Sequence, residues 1–269
     1  MRRSFIIGLC AVFCALCSVQ AHAWSYNSQE ATTTTAAQLR FGAVFNKKWN
    51  NGLRLGVRED LWFDVYNSEV GPYFRKAYTT IDLGYKPIEY VKLDAGYTLK
   101  LIGADSTWSA SKKADANEWI RHRVFFSVTG SYSFTYTKIY LRERVQLDMR
   151  TDSVNPLEQN QFNWVLRSRI GAEFIIPGKP VKPYLWGEVI NTLNAPEYQQ
   201  KNGQQYISSI RTQAGVKWRI TKLNSLDFYY RFTYGYDRDI NITKNKGYIQ
   251  LTEETLYMHT IGVTYNLDW

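Results

Sequence analysis

The sequence ends in YMHTIGVTYNLDW, residues 257–269. Large apolar or aromatic residues occupy almost every second position, and mostly small or polar residues lie between them. This strict period of two is typical of a β-strand with two different faces, and the stretch is long enough for the roughly 9–11 residues with which a tilted strand crosses a bilayer. It therefore predicts a membrane strand, whose lipid-facing side consists of Tyr257, His259, Ile261, Val263, Tyr265, Leu267 and Trp269.

The same alternation recurs in ten further segments. They are residues 39–45, 53–61, 81–85, 91–101, 120–128, 139–147, 164–174, 185–189, 210–218 and 226–234. Short turns are predicted at 50–52, 86–87, 130–133, 177–182 and 221–224, and longer polar stretches at 65–76, 104–117, 150–161, 194–205 and 240–252. Short turns at one end and long loops at the other are typical of outer-membrane barrels.

These segments predict an all-β fold, a single antiparallel up-and-down transmembrane β-barrel. A chain with both ends in the periplasm crosses the membrane an even number of times, so we expect about twelve strands, with residues 24–36 as a poorly patterned twelfth or as a partial plug. Ten strands are the alternative if one short segment does not span. A secreted β-sandwich also alternates, but its strands are usually about 5–6 residues long.

The N-terminus predicts export from the cytoplasm. Arg2 and Arg3 precede the apolar stretch 5–16, and Ala21-His22-Ala23 resembles a cleavage site. We therefore expect a signal peptide at residues 1–23 and a barrel over residues 24–269. All three cysteines lie in the signal segment, so the mature chain has no thiol for a disulfide or a metal.

The charge of the chain is a weak argument for a nucleic-acid partner. The net charge is +9, and it remains positive after the signal peptide is removed. The basic residues are spread singly along the predicted strands instead of forming a basic patch, and export leads away from nucleic acid. We expect no nucleic-acid partner.

The residues between the apolar positions are rich in charge, and in a barrel they face the lumen. The densest part has arginines at i, i+2 spacing on three consecutive strands, which predicts an arginine wall. The complete basic cluster is Arg121, Arg123, Arg142, Arg144, Arg167, Arg169, Arg211 and Arg231, and the expected acidic partners are Asp148, Glu173, Glu188 and Asp227. Glu59 and Glu143 face lipid in this register, which predicts a bulge or a rim position at each.

This lumen has two interpretations. Arginine forks bind carboxylates and phosphates, which favours passage or binding of small anionic solutes. Narrow barrels are usually filled by their own side chains, which favours a structural or surface-interaction barrel with a self-plugged interior.

A third alternative is a lipid-modifying enzyme with a Ser/His pair on its outer surface. After the signal segment the only histidines are His122 and His259, both predicted to face outward, and no G-x-S-x-G motif occurs. Ser127 is predicted to face inward, and Ser168 lies two strands from His122. We expect no enzyme activity, no metal site and no cofactor.

Two resemblances extend these predictions. Residues Ile261, Val263, Tyr265, Leu267 and Trp269 resemble the C-terminal signal that outer-membrane proteins present to their assembly machinery. The stretches RHRVFFSVTGSYSF (121–134), LRERVQ (141–146), VLRSRIGAEF (165–174), PYLWGEVIN (183–191) and DFYYRF (227–232) resemble an uncharacterised family of Gram-negative outer-membrane barrels known as a domain of unknown function. The resemblance implies an outer-membrane location. The expected partners are the lipid bilayer, lipopolysaccharide, the barrel assembly machinery and a small anionic solute.

Overall fold

The computed structural model describes residues 28–67, 72–103, 119–151, 161–196, 206–243 and 248–269. The predicted signal peptide, residues 1–23, lies outside the described residues. The described chain is almost entirely β-strand, and the strands form one closed barrel. No helix in the described ranges is both long and apolar enough to cross a membrane.

The barrel has eleven strands in the described part of the chain. Their bounds are β1 Ser28–Lys48, β2 Leu53–Asn67, β3 Tyr73–Ile88, β4 Val91–Ile102, β5 Ile120–Ser133, β6 Thr137–Arg150, β7 Phe162–Phe174, β8 Val181–Thr192, β9 Tyr206–Arg219, β10 Asn224–Thr243 and β11 Tyr248–Asp268. Each of the eleven alternating segments of the sequence lies in one of them, except that Trp269 follows the last residue of β11. The prediction of an all-β barrel is confirmed.

The seam of the barrel differs from a purely up-and-down arrangement. Neighbouring strands along the chain pair antiparallel, but β1 pairs parallel with β11, from Ser28 opposite Gln250 to Asn46 opposite Asp268. The barrel therefore has eleven strands in the described ranges, where about twelve were expected. Residues 28–36 form no separate strand, because they continue β1 and keep pairing with β11.

Some strand ends differ from the predicted turns. Residues 130–133 belong to β5, where Gly130 pairs with Leu141 and Ser133 with Lys138. Residues 86–87 belong to β3 at a shift in register, which suits Pro87 because proline cannot donate a ladder hydrogen bond. Most of the predicted loop 240–252 belongs to β10 and β11, which keep pairing with each other above the end of β9.

The Asn-Asn-Gly turn between β1 and β2 forms as predicted. Gly52 has φ +84°, a left-handed conformation that glycine adopts without strain. The amide of Trp49 donates to the carbonyl of Leu53 at 3.0 Å and closes the hairpin. We call the end of the barrel with these short connections the turn end, and the opposite end the loop end.

The two faces of the sheet differ in chemistry. Outward positions expose large apolar side chains around the whole barrel; examples are Phe41 at 47%, Leu83 at 62%, Ile170 at 62% and Ile261 at 63% exposed. Inward positions carry most of the charges and bury many of them, including Asp60, Asp94 and Glu188. The molecule therefore has an apolar outside and a polar inside, the reverse of a soluble globular domain.

Candidate functional site: a cationic lumen

The arginines of the predicted wall lie on the lumen face of three neighbouring strands. Arg142 on β6 is directly opposite Arg169 on β7, and Arg144 is directly opposite Arg167. Like charges directly opposite each other across a strand pair destabilise a sheet. The wall therefore needs negative charge from elsewhere in the barrel.

Glu188 on β8 supplies that charge. Its side chain is 0% exposed, and it contacts four guanidinium groups. The distances from its carboxylate oxygens are 3.0 Å to Arg142 Nη2, 2.6 Å to Arg167 Nη2, 2.9 Å to Arg169 Nη2 and 3.9 Å to Arg211 Nη1. We call these five residues the Glu188 cluster. Four positive charges surround one negative charge, which leaves a surplus of three.

Two further arginines add to this surplus. Arg144 stacks over the ring of Phe125 at 4.1 Å. Arg231 donates from Nε to the side-chain oxygen of Gln213 at 2.9 Å and lies 5.4 Å from the ring of Trp186. Neither guanidinium has a carboxylate within 4.0 Å among the described residues. Aromatic faces stabilise a cation by about 0.5–2 kcal/mol, but they do not neutralise it.

Arg123 and Arg121 lie nearer the loop end of β5. Arg123 forms a two-pronged ion pair with Asp148 on β6, at 2.5 and 2.8 Å, and Lys100 on β4 contacts the same carboxylate at 3.2 Å. Arg121 is opposite Arg150 and donates to the carbonyl of Ile120 at 3.0 Å. The carboxylate of Asp148 is therefore shared between Arg123 and Lys100.

The other two expected acidic partners have different contacts. Glu173 forms an ion pair with Lys217, and Asp227 accepts a hydrogen bond from the hydroxyl of Tyr184 at 2.9 Å. Both carboxylates lie toward the turn end of their strands. Arg169, the nearest arginine of the wall on β7, is four residues from Glu173. That is roughly 13 Å along the strand, which is too far for an ion pair between the two side chains.

Aromatic side chains also fill part of the lumen, a feature that the alternation of the strands does not predict. Tyr184, Trp186 and Tyr229 are 4–6% exposed and pack together, with Tyr140 against them; we call these four the aromatic cluster. Their rings lie over inward glycines on neighbouring strands: Tyr140 over Gly171, Tyr184 over Gly215 and Tyr229 over Gly262. The signal in the sequence is an inward aromatic residue directly opposite a glycine, which is visible only once the register is known.

Ion pairs line the opposite wall of the lumen. Arg40 on β1 contacts Asp60 on β2 at 2.6 Å and lies 4.5 Å from the ring of Trp62. Arg54 forms ion pairs with Asp82 and Asp94. On this side each described arginine has at least one carboxylate, so the surplus of arginines over carboxylates is concentrated on β6 to β10.

The outward polar residues form contacts of their own. Glu59 accepts from the hydroxyl of Thr79 at 2.6 Å, and Glu143 accepts from that of Ser168 at 2.6 Å. Each pair is directly opposed in an unshifted register, so neither position has the expected bulge, and each carboxylate accepts a cross-strand hydrogen bond instead.

His122 and His259 lie on the outside, each next to a tyrosine of the neighbouring strand. Tyr97 is 2.6 Å from His122 Nδ1, and Tyr230 is 2.7 Å from His259 Nδ1, between hydroxyl and ring nitrogen. Ser127, by contrast, is buried on the lumen side of β5, at 1% exposed. Within the described ranges, no group of three or more His, Cys, Asp or Glu residues is arranged to hold a metal ion.

Comparison with known proteins shows the family to which this barrel belongs. The fold is a closed β-barrel with a charged lumen, and residues 35–243 match the family described as "Protein of unknown function (DUF2490)". The chain belongs to this family. Among solved structures it is similar to the NanC porin in a rhombohedral crystal form, with a TM-score of 0.42 and 10% identity over 74% of this chain and 87% of that chain. No curated protein matches the chain.

Proposed function

We propose that this protein is an outer-membrane barrel, exported with a cleaved N-terminal signal, whose lumen binds small anions and passes them across the membrane. The apolar outer surface supports the membrane location. The alternating C-terminal strand, with Ile261 and Trp269 exposed at 63% and 65%, suits contact with lipid and with a barrel assembly machinery. Lipopolysaccharide is the expected neighbour at the outer rim.

The observation that carries the proposal is the composition of the Glu188 cluster. A barrel that needed only to be filled would balance its charges, because an uncompensated buried charge is costly. Here four guanidinium groups share one carboxylate, and Arg144 and Arg231 extend the same positive region. A ring of cations in a low-dielectric passage attracts anions and repels cations, as in anion pores.

Chloride efflux from vesicles that contain the purified protein tests this proposal. A potassium ionophore balances the charge, and an electrode follows external chloride. We expect Arg231→Gln to slow efflux severalfold, because it removes surplus charge without stranding a carboxylate. Lys222→Gln is the matched control, since it removes one charge from an exposed turn outside the lumen. Equal efflux rates in Arg231→Gln and the native protein would refute the role of the arginines.

A second candidate function is a structural or surface-interaction barrel with a closed interior. The aromatic cluster favours it, because Tyr184, Trp186 and Tyr229 are packed together inside the lumen and narrow the passage. This candidate predicts that the native protein produces no more efflux than empty vesicles. The two functions therefore give opposite results in the same assay.

We also propose that the barrel is not a lipid hydrolase. The contacts of the histidines support this: each lies next to a tyrosine hydroxyl, and Ser168 donates to Glu143. A hydrolytic pair needs a serine within hydrogen-bond reach of an imidazole. If the purified protein cleaves phospholipid and the His122→Ala, His259→Ala double variant does not, this proposal is wrong.

A further inference from the structure

A cavity lies in the lumen wall at the loop end of β3 and β4, apart from the Glu188 cluster. Its volume is about 230 Å³, and it is lined by Tyr73, Arg75, Lys76, Tyr78, Lys100, Ile102 and Gly103. The lining combines three cations with two phenol rings. A concave site with aromatic walls and a few convergent polar groups is the usual form of a small-molecule site.

The three cations of this cavity are not equivalent. Arg75 is held by Asp64 at 2.7 Å, and Lys100 by Asp148 at 3.2 Å. Lys76 has no carboxylate within 4.0 Å among the described residues. Its ammonium group lies 5.4 Å from the ring of Trp62 and 5.5 Å from that of Tyr78. Asp148 is shared with Arg123, so the surroundings of the cavity carry a surplus of positive charge, and Lys76 is the lining cation that has no carboxylate of its own.

The rings next to Lys76 are held in place by their own contacts. Trp62 is 7% exposed, and its ring centroid is 4.6 Å from that of Tyr78. Lys100 and Arg123 lie 5.6 and 5.8 Å from the Tyr78 ring. An aromatic wall fixed in this way offers a flat apolar surface at little entropic cost to a bound ligand.

We propose that this cavity binds a small monocarboxylate that carries a flat ring. The ammonium group of Lys76 binds the carboxylate, and the rings of Tyr73 and Tyr78 contact the ring of the ligand. Lys76, the one lining cation without a carboxylate within 4.0 Å among the described residues, matches a single negative charge, and the phenol rings match an apolar face. The site deepens the proposed function, on which it rests: it lies at the loop-end entrance of the same lumen.

Fluorine NMR of 4-fluorobenzoate with the purified full chain in detergent tests the site. We expect saturable line broadening that benzoate reverses at lower concentration than acetate or inorganic phosphate. Lys76→Gln should weaken binding about tenfold or more, and Lys76→Arg should retain most of it. Lys92→Gln is the matched control: Lys92 is a lumen lysine near the turn end, paired with Asp94 at 2.8 Å, and its loss should change nothing.

The ring contact has its own test. Tyr78→Phe keeps the ring and should bind 4-fluorobenzoate as the native protein does, whereas Tyr78→Leu should bind it severalfold more weakly. If Lys76→Gln does not fold, the comparison of Tyr78→Phe with Tyr78→Leu still tests whether the cavity binds the ligand. Equal binding by Lys76→Gln and native protein, or equal displacement by acetate and benzoate, would overturn the proposal.

The site and the proposed function fail in distinguishable ways. Chloride efflux without binding of 4-fluorobenzoate refutes the site and leaves the anion passage intact. Binding at Lys76 without efflux refutes the passage and leaves a ligand-binding barrel.

Discussion

At the scale of the residue, the most informative side chain is Glu188. A single fully buried carboxylate holds four guanidinium groups that come from β6, β7 and β9. Its contacts connect strands that lie up to two positions apart around the barrel. Glu188 therefore connects the side chains of four neighbouring strands. It also neutralises one of the four positive charges, which leaves the rest for a ligand.

Glu188→Gln should be strongly destabilising. The change leaves four cations without their carboxylate, and removal of one partner from a buried ion pair typically costs about 3–5 kcal/mol. Guanidinium unfolding in detergent micelles measures the free energy of unfolding. Glu173→Gln is the control: its pair with Lys217 is partly exposed, at 24% and 42%, so the expected loss is only about 0–1 kcal/mol. Similar losses in both variants would contradict the central role of Glu188.

For the outward-facing Glu143, removal of the charge is expected to raise the stability of the barrel, in contrast to Glu188. Glu143 is six residues from the turn-end start of β6, roughly 15 Å along the barrel axis and near the middle of an apolar band about 25 Å tall. Glu143→Gln should stabilise the barrel in vesicles by on the order of 1 kcal/mol, because it removes a charge from lipid and keeps the bond from Ser168.

The matched control for Glu143→Gln is Ser168→Ala. It leaves the carboxylate without its hydroxyl donor and should lower stability. Guanidinium titration in lipid vesicles measures both changes. If Glu143→Gln is instead less stable than the native protein, the prediction is wrong, and the charge of Glu143 is stabilised by a polar partner.

At the scale of the element, the glycines of the lumen decide whether the aromatic cluster fits. An added Cβ at the inward Gly262 meets the ring of Tyr229, whereas one at Gly187, an outward position of β8, meets nothing within 4 Å. Gly262→Ala should therefore cost about 1–3 kcal/mol through overpacking, and Gly187→Ala should be close to neutral. The melting temperature in detergent, followed by circular dichroism, checks the pair. Equal melting temperatures would mean that the rings move aside freely.

The strands were predictable from the sequence, but their ends and contacts were less so. A period of two reports which face a residue is on, and this was enough for all eleven strands and for the inward side of the arginines. It does not report where pairing stops. Residues 130–133 were therefore expected in a turn, although β6 pairs with β5 as far as Ser133, and β4 as far as Gly130.

The pairing of Glu188 with four arginines depends on register and barrel closure. Neither the register nor the closure can be derived from the sequence of a single strand. The same holds for Tyr229 over Gly262, which requires two strands to be aligned to the residue. Asp227 was expected near an arginine, and its contact with Tyr184 arises from a strand two positions away.

At the scale of the whole molecule, the parallel seam explains how an odd number of strands closes. β1 and β11 both run from the loop end to the turn end, and the backbone of Trp269 bonds to Asn46 and Lys48 there. The ring of Trp269 lies 3.9 Å from the ammonium group of Lys47. The terminal residue therefore belongs to the seam itself.

A pair of cysteines tests the seam. Ala43 and Tyr265 are direct partners across it, so an Ala43→Cys, Tyr265→Cys variant should form a disulfide, which needs Cα atoms about 4.4–6.8 Å apart. Ala43→Cys with Ile261→Cys is the control, displaced by four residues, and should remain reduced. Gel mobility with and without reductant measures both. A disulfide only in the control would place β1 in another register.

The reversal potential of the native protein in a planar bilayer tests the central claim most directly. With a tenfold gradient of potassium chloride across the membrane, a surplus of lumen arginines predicts that chloride carries most of the current. The potential at zero current should then lie close to the equilibrium potential of chloride. A reversal potential close to that of potassium, or a membrane that shows no channels at all, would contradict the account of a cationic lumen that passes anions.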